Sequence, residues 1–397
     1  MLLPTPTGTV ALKWAERIYD PDASSTKAMQ QTDWPALCRL AKSLRGNIPC
    51  VPLDHTTNGL NNMARLLRFD DGVLWVARVA MRRGDDVAAK LSCEVDTMLW
   101  IQETSSLPVP VIFAYEVDSN NAVGVPFVLM SFIPGNTAMD SGGGFETHHG
   151  VIPLDCRPRF YRNVAEFHVR MAALRLPRIG TVRKTPDGRF EAGPIPGIGG
   201  PFDTATAFFQ AWADATKFPR WPDEILEIMG SAPEAQKVAD AIGSFIGRFR
   251  MVVPKLVLKN EHDKGPFPLC HPDFLHSNMI IDDDYSLLGV IDWEGVCTLP
   301  LELVRFPRFL DLIPPLFGRR DRCDENGQPY DEDDRQRWQE RREYVEMVST
   351  VEAGEDGTLS ACLADEHAQA LAYAMEGFEN GKMGLYDELL DSIETDL

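Results

Sequence analysis

The alternation of apolar and polar residues predicts β-hairpins in two parts of the chain. Residues 63–69 and 73–79 are largely apolar runs on either side of an Asp-Asp-Gly turn signal. Residues 278–281 and 286–291 flank three consecutive aspartates in the same way. Because a hairpin lays its two strands side by side, we expect residues at its open end to meet although they are distant in sequence.

Helical spacing of apolar residues predicts most of the other structure. Amphipathic segments at 11–16 and 34–41 indicate that residues 1–45 form helices that pack against the rest of the protein. Three longer helices are predicted over 159–174, 203–217 and 232–250. A turn signal at 185–188 predicts one more hairpin, between 179 and 193.

Candidate chemistry is concentrated in residues 270–293, which include His271, Asp273, Asn278 and Asp292. A carboxylate such as Asp273 can accept the proton of a hydroxyl group. The amide oxygen of Asn278 and the carboxylate of Asp292 suit a hard cation such as Mg²⁺, and the predicted hairpin sets them side by side. Together they form a minimal set for phosphoryl transfer; the simpler alternative is a polar loop beside a surface hairpin.

This segment resembles the catalytic loop of the aminoglycoside phosphotransferase and choline kinase superfamily, whose members are small-molecule kinases. They often read His-Gly-Asp-x-x-x-x-Asn, then a hydrophobic strand ending in Ile-Asp-Trp/Phe-Glu; here Pro272 replaces the glycine. Protein kinases usually carry a lysine where this chain has Leu275, and no Ala-Pro-Glu segment follows the strand. Both differences favour a small-molecule acceptor over a protein.

The resemblance implies an α+β, bilobal protein-kinase-like fold with a small antiparallel-sheet N-lobe and a mainly helical C-lobe. It implies His271 and Asp273 as catalytic residues, Asn278 and Asp292 as metal ligands, and ATP and Mg²⁺ as cofactors. It also divides the chain into four regions. They are an N-terminal helical extension (1–45), a nucleotide-binding N-lobe (46–133), a catalytic C-lobe with a hairpin insertion (134–318) and an acidic helical C-terminal part (319–397). The insertion resembles a fungal branch of the superfamily.

A loop, an arginine and a glutamate upstream fit the expected nucleotide site. The polar turn is expected to lay backbone N–H groups over the phosphates, although a plain hairpin is an equal alternative. Its residues are Asn58, Gly59, Leu60 and Asn61. The resemblance implies that Arg78, in place of the usual lysine, contacts the α- and β-phosphates and that Glu94 fixes its direction.

The run Pro126 to Gly135 resembles the last N-lobe strand and the hinge of the superfamily. The resemblance implies that the Ser131 carbonyl and the Ile133 N–H hold the adenine, with Met130 behind the base. An ordinary buried strand that ends at a Pro-Gly turn is the alternative.

The 397-residue chain has 39 basic and 59 acidic residues, a formal net charge of −20, which makes nucleic acid and anionic membranes poor partners. The charge would suit a cationic acceptor, but a solvated acidic surface explains it equally well. Candidate carboxylates for such an acceptor site are Glu294, Glu302, Asp321, Asp324, Glu325, Asp331, Glu332, Asp333 and Asp334.

The chain has no apolar run of membrane-spanning length and no signal-peptide pattern at its start. Its eight cysteines are scattered without a Cys-x-x-Cys pair, which indicates free thiols and predicts a cytoplasmic protein. The leading hypothesis is therefore an ATP- and Mg²⁺-dependent kinase that acts on a small-molecule hydroxyl. A nucleotide-binding pseudokinase or scaffold stays open, and a protein kinase is disfavoured.

Overall fold

The computed structural model describes residues 15–16, 23–142, 147, 151–259, 262–315, 322–324, 328–353 and 357–396. Its antiparallel sheets and helices confirm the α+β class. The chain forms two compact units. The first comprises Met1–Phe160, Val182–Phe190 and Leu275–Val296; the second comprises Tyr161–Thr181, Glu191–Phe274 and Cys297–Leu397. Across the described ranges, no helix has both the length and the hydropathy that a membrane span requires.

A six-stranded antiparallel sheet of order β1-β2-β3-β4-β6-β5 forms the centre of the first unit. Its strands are β1 (Ala15–Glu16), β2 (Cys50–Asn58), β3 (Asn62–Phe69), β4 (Leu74–Ala80), β5 (Ile112–Glu116) and β6 (Phe127–Ser131). The helices of this unit are α1 (Ser24–Gln31), α2 (Trp34–Leu44) and α3 (Asp85–Thr104). Leu37 of α2 is buried against Leu67, Val79 and Leu129 of the sheet, which gives the sheet an apolar core.

Two local predictions for the first unit are wrong. Ala15–Glu16, expected in a helix, forms the edge strand β1, with Ala15 opposite Thr56. Asn58, expected in the polar turn, is the last residue of β2, so that the turn is left to residues 59–61. In both places pairing with a neighbouring strand supplies backbone hydrogen bonds that local sequence cannot reveal, and tertiary pairing overrides the local preference.

A second sheet in the first unit contains the predicted hairpin that follows residue 278. Its order is β13-β12-β7, with β7 at Asn136–Thr137, β12 at Met279–Ile281 and β13 at Leu287–Val290. Gly135 precedes β7 and packs so closely on β12 that a Cβ there would overlap the Ile281 carbonyl oxygen and lie 2.8 Å from Ile280 Cγ2. The hairpin position therefore depends on a residue without a side chain.

The second unit is mainly helical. From the boundary onward the helices are α4 (Arg157–Ala172), α5 (Ala205–Ala215), α6 (Pro222–Met229), α7 (Ala235–Lys259), α8 (Glu332–Val351), α9 (Thr358–Ala364), α10 (Glu366–Glu379) and α11 (Tyr386–Asp396). The three long predicted helices are thus confirmed as α4, α5 and α7. An aromatic cluster joins α5, α7, α10 and α11, where the Phe245 ring lies 4.7 Å from Tyr386 and 5.0 Å from Phe378.

Short strands connect these helices to the catalytic segment. In the second unit, β11 (Phe267–Cys270) pairs antiparallel with β8 (Arg175–Leu176) and with β14 (Cys297–Thr298). The predicted hairpin near residue 185 is also present, as β9 (Gly180–Lys184) and β10 (Phe190–Gly193). In its turn the Thr185 N–H donates to the Arg189 carbonyl at 2.8 Å. Strand β11 leads directly into His271, so the sheet fixes the start of the segment 270–293 that carries the candidate chemistry.

Replacing Gly135 by alanine is expected to destabilise the protein by roughly 1–3 kcal/mol, because β7 must move away from the Ile281 carbonyl. Urea unfolding followed by circular dichroism measures this change. Gly247→Ala is the matched control, since Gly247 lies in α7 and an added methyl group there would have no neighbouring atom within 4 Å. It should shift the free energy of unfolding by no more than about 1 kcal/mol, towards greater stability. Equal effects of the two substitutions would contradict the packing argument.

Candidate functional site

The β12–β13 hairpin brings Asn278 and Asp292 together, as the sequence predicted. Asn278 ends a short 3₁₀ turn just before β12, and its N–H donates to the Leu275 carbonyl at 2.8 Å. The Ile291 N–H donates to the Asn278 carbonyl at 2.9 Å. Asp292 follows Ile291 directly, so the backbone of Asp292 lies close to that of Asn278 at the open end of the hairpin.

Asp292 adopts a strained backbone conformation, with φ at 62°. A left-handed conformation is uncommon outside glycine, although aspartate and asparagine tolerate it best, and such strain is concentrated at functional sites. The next residue, Trp293, is fully buried, and its Nε1–H donates to the Val290 carbonyl at 3.0 Å. Burial of Trp293 therefore anchors the strand end while Asp292 turns outward, with nearly half of its side chain exposed.

Arg78 on β4 joins this hairpin end to α3. It forms an ion pair with Glu94, and its Nη1 lies 4.0 Å from Asp292 Oδ1. The Arg78 and Glu94 side chains are only 12% and 3% exposed. Burial alone would lower the pKa of Arg78, but Glu94, Asp292 and Glu294 raise it above its ordinary value. The guanidinium is therefore held in its charged form by the carboxylates around it.

The turn between β2 and β3 contacts Glu294, the residue that follows Trp293. Asn61 Nδ2 donates to both carboxylate oxygens of Glu294 at 3.2 Å, and Lys90 Nζ lies 3.6 Å from Glu294 Oε1. Gly59 N–H donates to the Asn62 carbonyl at 3.0 Å, while the Leu60 side chain is exposed. Glu294, which the sequence suggested for the acceptor site, lies instead with the turn residues of the first unit.

The predicted hinge is fixed by hydrogen bonds and by close packing. Ser131 N–H donates to the Val111 carbonyl at 2.8 Å, and Ser131 Oγ accepts from Val111 N–H at 2.8 Å. Met130 pairs with Val76 of β4. A Cβ on Gly289 would lie 2.6 Å from Ile133 Cδ1, which shows how closely the hinge approaches β13. Hinge and hairpin thus belong to one packed unit.

Asn278 and Asp292 are the candidate ligands for a divalent cation, since the described residues contain no group of three or more His, Cys, Asp or Glu side chains placed to hold one. Glu94, Asp292 and Glu294 carry three negative charges against the two positive charges of Arg78 and Lys90. Glu94 Oε1 is buried without a hydrogen-bond partner among the described residues. An amide and a carboxylate side by side are oxygen ligands of the kind that Mg²⁺ takes in combination with phosphates and water.

His271 and Asp273 lie in the second unit. His271 is buried, and its Nδ1 accepts a hydrogen bond from the Asp273 backbone N–H at 3.2 Å, which leaves the ring proton on Nε2. Asp273 itself is exposed. The Phe274 carbonyl accepts from the Arg308 N–H at 2.9 Å, and Arg308 Nη1 donates to the Pro272 carbonyl at 3.4 Å. The loop around the exposed carboxylate is therefore fixed on both sides.

An ion-pair cluster that the sequence did not indicate supports this loop. Arg308 Nη2 lies 2.7 Å from Glu376 Oε1 on α10, and Arg305 pairs with the other oxygen of Glu376. Burial alone would raise the pKa of Glu376, but Arg305 and Arg308 lower it below 4.5. Because the partners are about seventy positions apart, no local spacing could have identified them.

The other described carboxylates that the sequence suggested for the acceptor site contact groups of the protein itself or cap a helix. Glu302 is 2% exposed, 3.7 Å from His262 Nδ1, and it raises the pKa of His262. Asp331 caps α8 by accepting from the Asp334 N–H at 3.1 Å, and Glu332, Asp333 and Asp334 form the first turn of that helix, where acidic residues are stabilising. Asp324 Oδ1 accepts from the Gln328 N–H at 2.9 Å. Asp321 and Glu325 lie outside the described residues.

Arg78→Met is expected to destabilise the protein by about 3 kcal/mol, because it leaves Glu94 buried without its cation. The double variant Arg78→Met/Glu94→Gln should recover part of this loss, since both charges are then absent. Urea unfolding of the two variants and the parent protein measures the difference. If the double variant is less stable than Arg78→Met, the unpaired charge of Glu94 is not the cause of the destabilisation.

Glu376→Gln is expected to lower the free energy of unfolding by roughly 1–2 kcal/mol at neutral pH. Since the folded-state pKa of Glu376 is lowered, its contribution is present above the ordinary value of 4.5 and is lost as the pH falls below it. The difference between parent and variant should therefore shrink in acid when unfolding is measured across this range. Glu346→Gln, an exposed substitution on α8, is the control and should show no such trend.

Similar proteins are found both by sequence and among solved structures. A subtelomeric hrmA-associated cluster protein of Aspergillus fumigatus is 21% identical over 336 residues, which cover 68% of this chain and 61% of that protein. The chain thus spans less than two thirds of that relative's length. A solved macrolide 2'-phosphotransferase type I is 17% identical, with 92% of this chain and 96% of that chain covered and a TM-score of 0.41. A solved ethanolamine kinase of Plasmodium vivax is 13% identical, with 96% of this chain and 95% of that chain covered and a TM-score of 0.44.

A family described as "Phosphotransferase enzyme family" matches residues 57–301, which is more than half of the chain. The match begins at the end of β2 and includes Arg78, the hinge and the whole catalytic segment. It confirms the superfamily that the catalytic segment predicted. The chain belongs to the phosphotransferase enzyme family.

Proposed function

We propose that this protein is an ATP- and Mg²⁺-dependent kinase that transfers a phosphoryl group to a hydroxyl of a small molecule. One observation carries the proposal: Arg78 is buried between Glu94 and Asp292, and Asp292 stands beside Asn278. A buried cation, an amide and a carboxylate from three separate segments are the groups that phosphate and a hard cation require. Membership of the phosphotransferase family supports the same reaction class.

In this proposal the first unit binds the nucleotide. The Ser131 carbonyl and the Ile133 N–H bind the adenine, with Met130 behind the base. Arg78 binds the α- and β-phosphates in the direction that Glu94 fixes, and the turn from Gly59 to Asn61 offers the backbone N–H groups of Leu60 and Asn61 to the phosphates. Mg²⁺ held by Asn278 and Asp292 would neutralise charge on the phosphates.

Asp273 is the proposed proton acceptor. It takes the proton of the acceptor hydroxyl while that oxygen forms a bond to the γ-phosphorus and the bond from this phosphorus to the ADP oxygen breaks. His271 Nδ1, by accepting the Asp273 N–H, holds the backbone of the proton acceptor in place. The eight free cysteines support a reducing compartment such as the cytoplasm.

Asp273→Asn is expected to reduce acceptor-stimulated ATP turnover by about a hundredfold or more, because the amide cannot take up the proton. Mg²⁺-dependent turnover is measured with a panel of small alcohols and amino alcohols, and nucleotide binding is measured separately by titration. Binding should be unchanged in the variant.

Asp283→Asn is the matched control, since Asp283 is an exposed carboxylate in the turn of the β12–β13 hairpin, and it should keep full turnover. If the parent protein binds ATP yet no acceptor stimulates turnover, the pseudokinase alternative is favoured. Absence of ATP binding would contradict the assignment of the first unit.

A further inference from the structure

A cavity of about 320 Å³ lies in the second unit beside the proposed proton acceptor. Pro272 and Phe274, the residues on either side of Asp273, both line it, as does His271. Its volume falls at the small end of the range of about 300–1,000 Å³ that is typical of small-molecule sites. The cavity is therefore large enough for a small acceptor and is lined by both residues that flank Asp273.

The walls of this cavity are mainly apolar and aromatic. Phe208 and Trp212 of α5 line it, together with Phe274, Phe306 and Met375. Trp212 and Met375 also belong to the buried core of the second unit, so these walls are part of a packed structure. Walls of this kind stabilise an apolar ligand by removing its surface from water.

The charges that line the cavity are paired with each other. Arg305 and Arg308 both contact Glu376, and Arg305 Nη2 also lies 3.3 Å from Asp311 Oδ1. An ammonium group entering the cavity would approach two guanidinium groups whose carboxylate is already shared between them. It would lose its hydration without gaining a dedicated anionic partner, which is costly.

Glu379 is the other acidic residue of the cavity, and it is committed to a tryptophan. Trp212 Nε1–H donates to Glu379 Oε1, and the Trp212 side chain is buried. Burial has the largest effect on the pKa of Glu379 and raises it. The hydrogen bond from Trp212 lowers the pKa, and the charge of Glu376 raises it. Because one of its oxygens already accepts from Trp212, Glu379 is a weaker site for an ammonium group.

We propose that this cavity binds the acceptor and that the acceptor is a small neutral alcohol with an apolar body. This inference rests on the proposed kinase function, and it differs from the cationic acceptor that the net charge of −20 would suit. The acidic residues of the chain lie largely outside this cavity, whose own charges are two arginines and two glutamates besides its histidines. Shape and apolar contact, rather than attraction of a cation, select the ligand.

The test compares choline with its neutral tert-butyl analogue, in which carbon replaces the quaternary nitrogen. The two alcohols have the same shape and differ in charge. Their binding to the full chain is measured by ligand-observed NMR titration without nucleotide, and Mg²⁺–ATP turnover is measured with each. We expect the neutral alcohol to bind about tenfold more tightly and to stimulate turnover more strongly, because it enters without losing the hydration of a charge.

A pair of substitutions in one 3₁₀ turn locates the site. Leu303→Trp fills the cavity and should abolish binding of the neutral alcohol, whereas Leu301→Trp, in the same turn but outside the lining, should leave it intact. Leu303→Phe is the milder second variant, and circular dichroism melting verifies that each protein is folded.

The outcomes separate this inference from the kinase proposal. Tighter binding of choline, binding of neither alcohol, or unchanged binding to folded Leu303→Trp and Leu303→Phe would overturn the inference about the acceptor. ATP binding and turnover with an amino alcohol would leave the kinase function standing in each of those cases. Binding of the neutral alcohol without any ATP binding would instead overturn the kinase function, and with it the role of acceptor.

Discussion

Burial of the Arg78 guanidinium is the constraint on which the first unit depends. A charged group taken out of water must be compensated by charges close to it, or the structure that buries it is not stable. Glu94 from α3 and Asp292 from the end of β13 supply that compensation. The central sheet, the long helix and the hairpin are thereby tied together at one point. The contact with phosphate that we propose for Arg78 would require a cation fixed in this way.

The hairpin end shows how strain and packing fix the position of an exposed side chain. Asp292 is held in a left-handed conformation that is uncommon for any residue other than glycine. The conformation persists because Trp293 is fully buried beside it and because β12 packs on Gly135. Rigid packing beneath an exposed carboxylate keeps its position defined. In the second unit, buried His271 and partly exposed Arg308 hold the backbone around exposed Asp273 by hydrogen bonds.

Net charge and local charge lead to different conclusions about this molecule. A formal charge of −20 describes the chain as a whole and influences what approaches it in solution. Inside the second unit, however, Glu376 is shared by Arg305 and Arg308, and the cavity walls are aromatic and apolar. Several acidic residues that seemed available to a substrate have structural partners instead: Glu302 contacts His262, and Asp331 caps α8. Composition alone is therefore a poor guide to the ligand of a cavity.

The sequence by itself determined the elements and the chemistry that lie close together along the chain. Local periodicity and turn residues, which act between near neighbours, predict the hairpins β3–β4 and β12–β13 and the helices α4, α5 and α7. They also predict that Asn278 and Asp292 lie close together. The Arg78–Glu94 pair was reached only through resemblance to a family. Tertiary structure alone decided that Ala15–Glu16 forms an edge strand, that Glu294 contacts Asn61, and that Arg305, Arg308 and Glu376 form one cluster. Those contacts join residues far apart in sequence, and their energy comes from burial and charge pairing that no local pattern records.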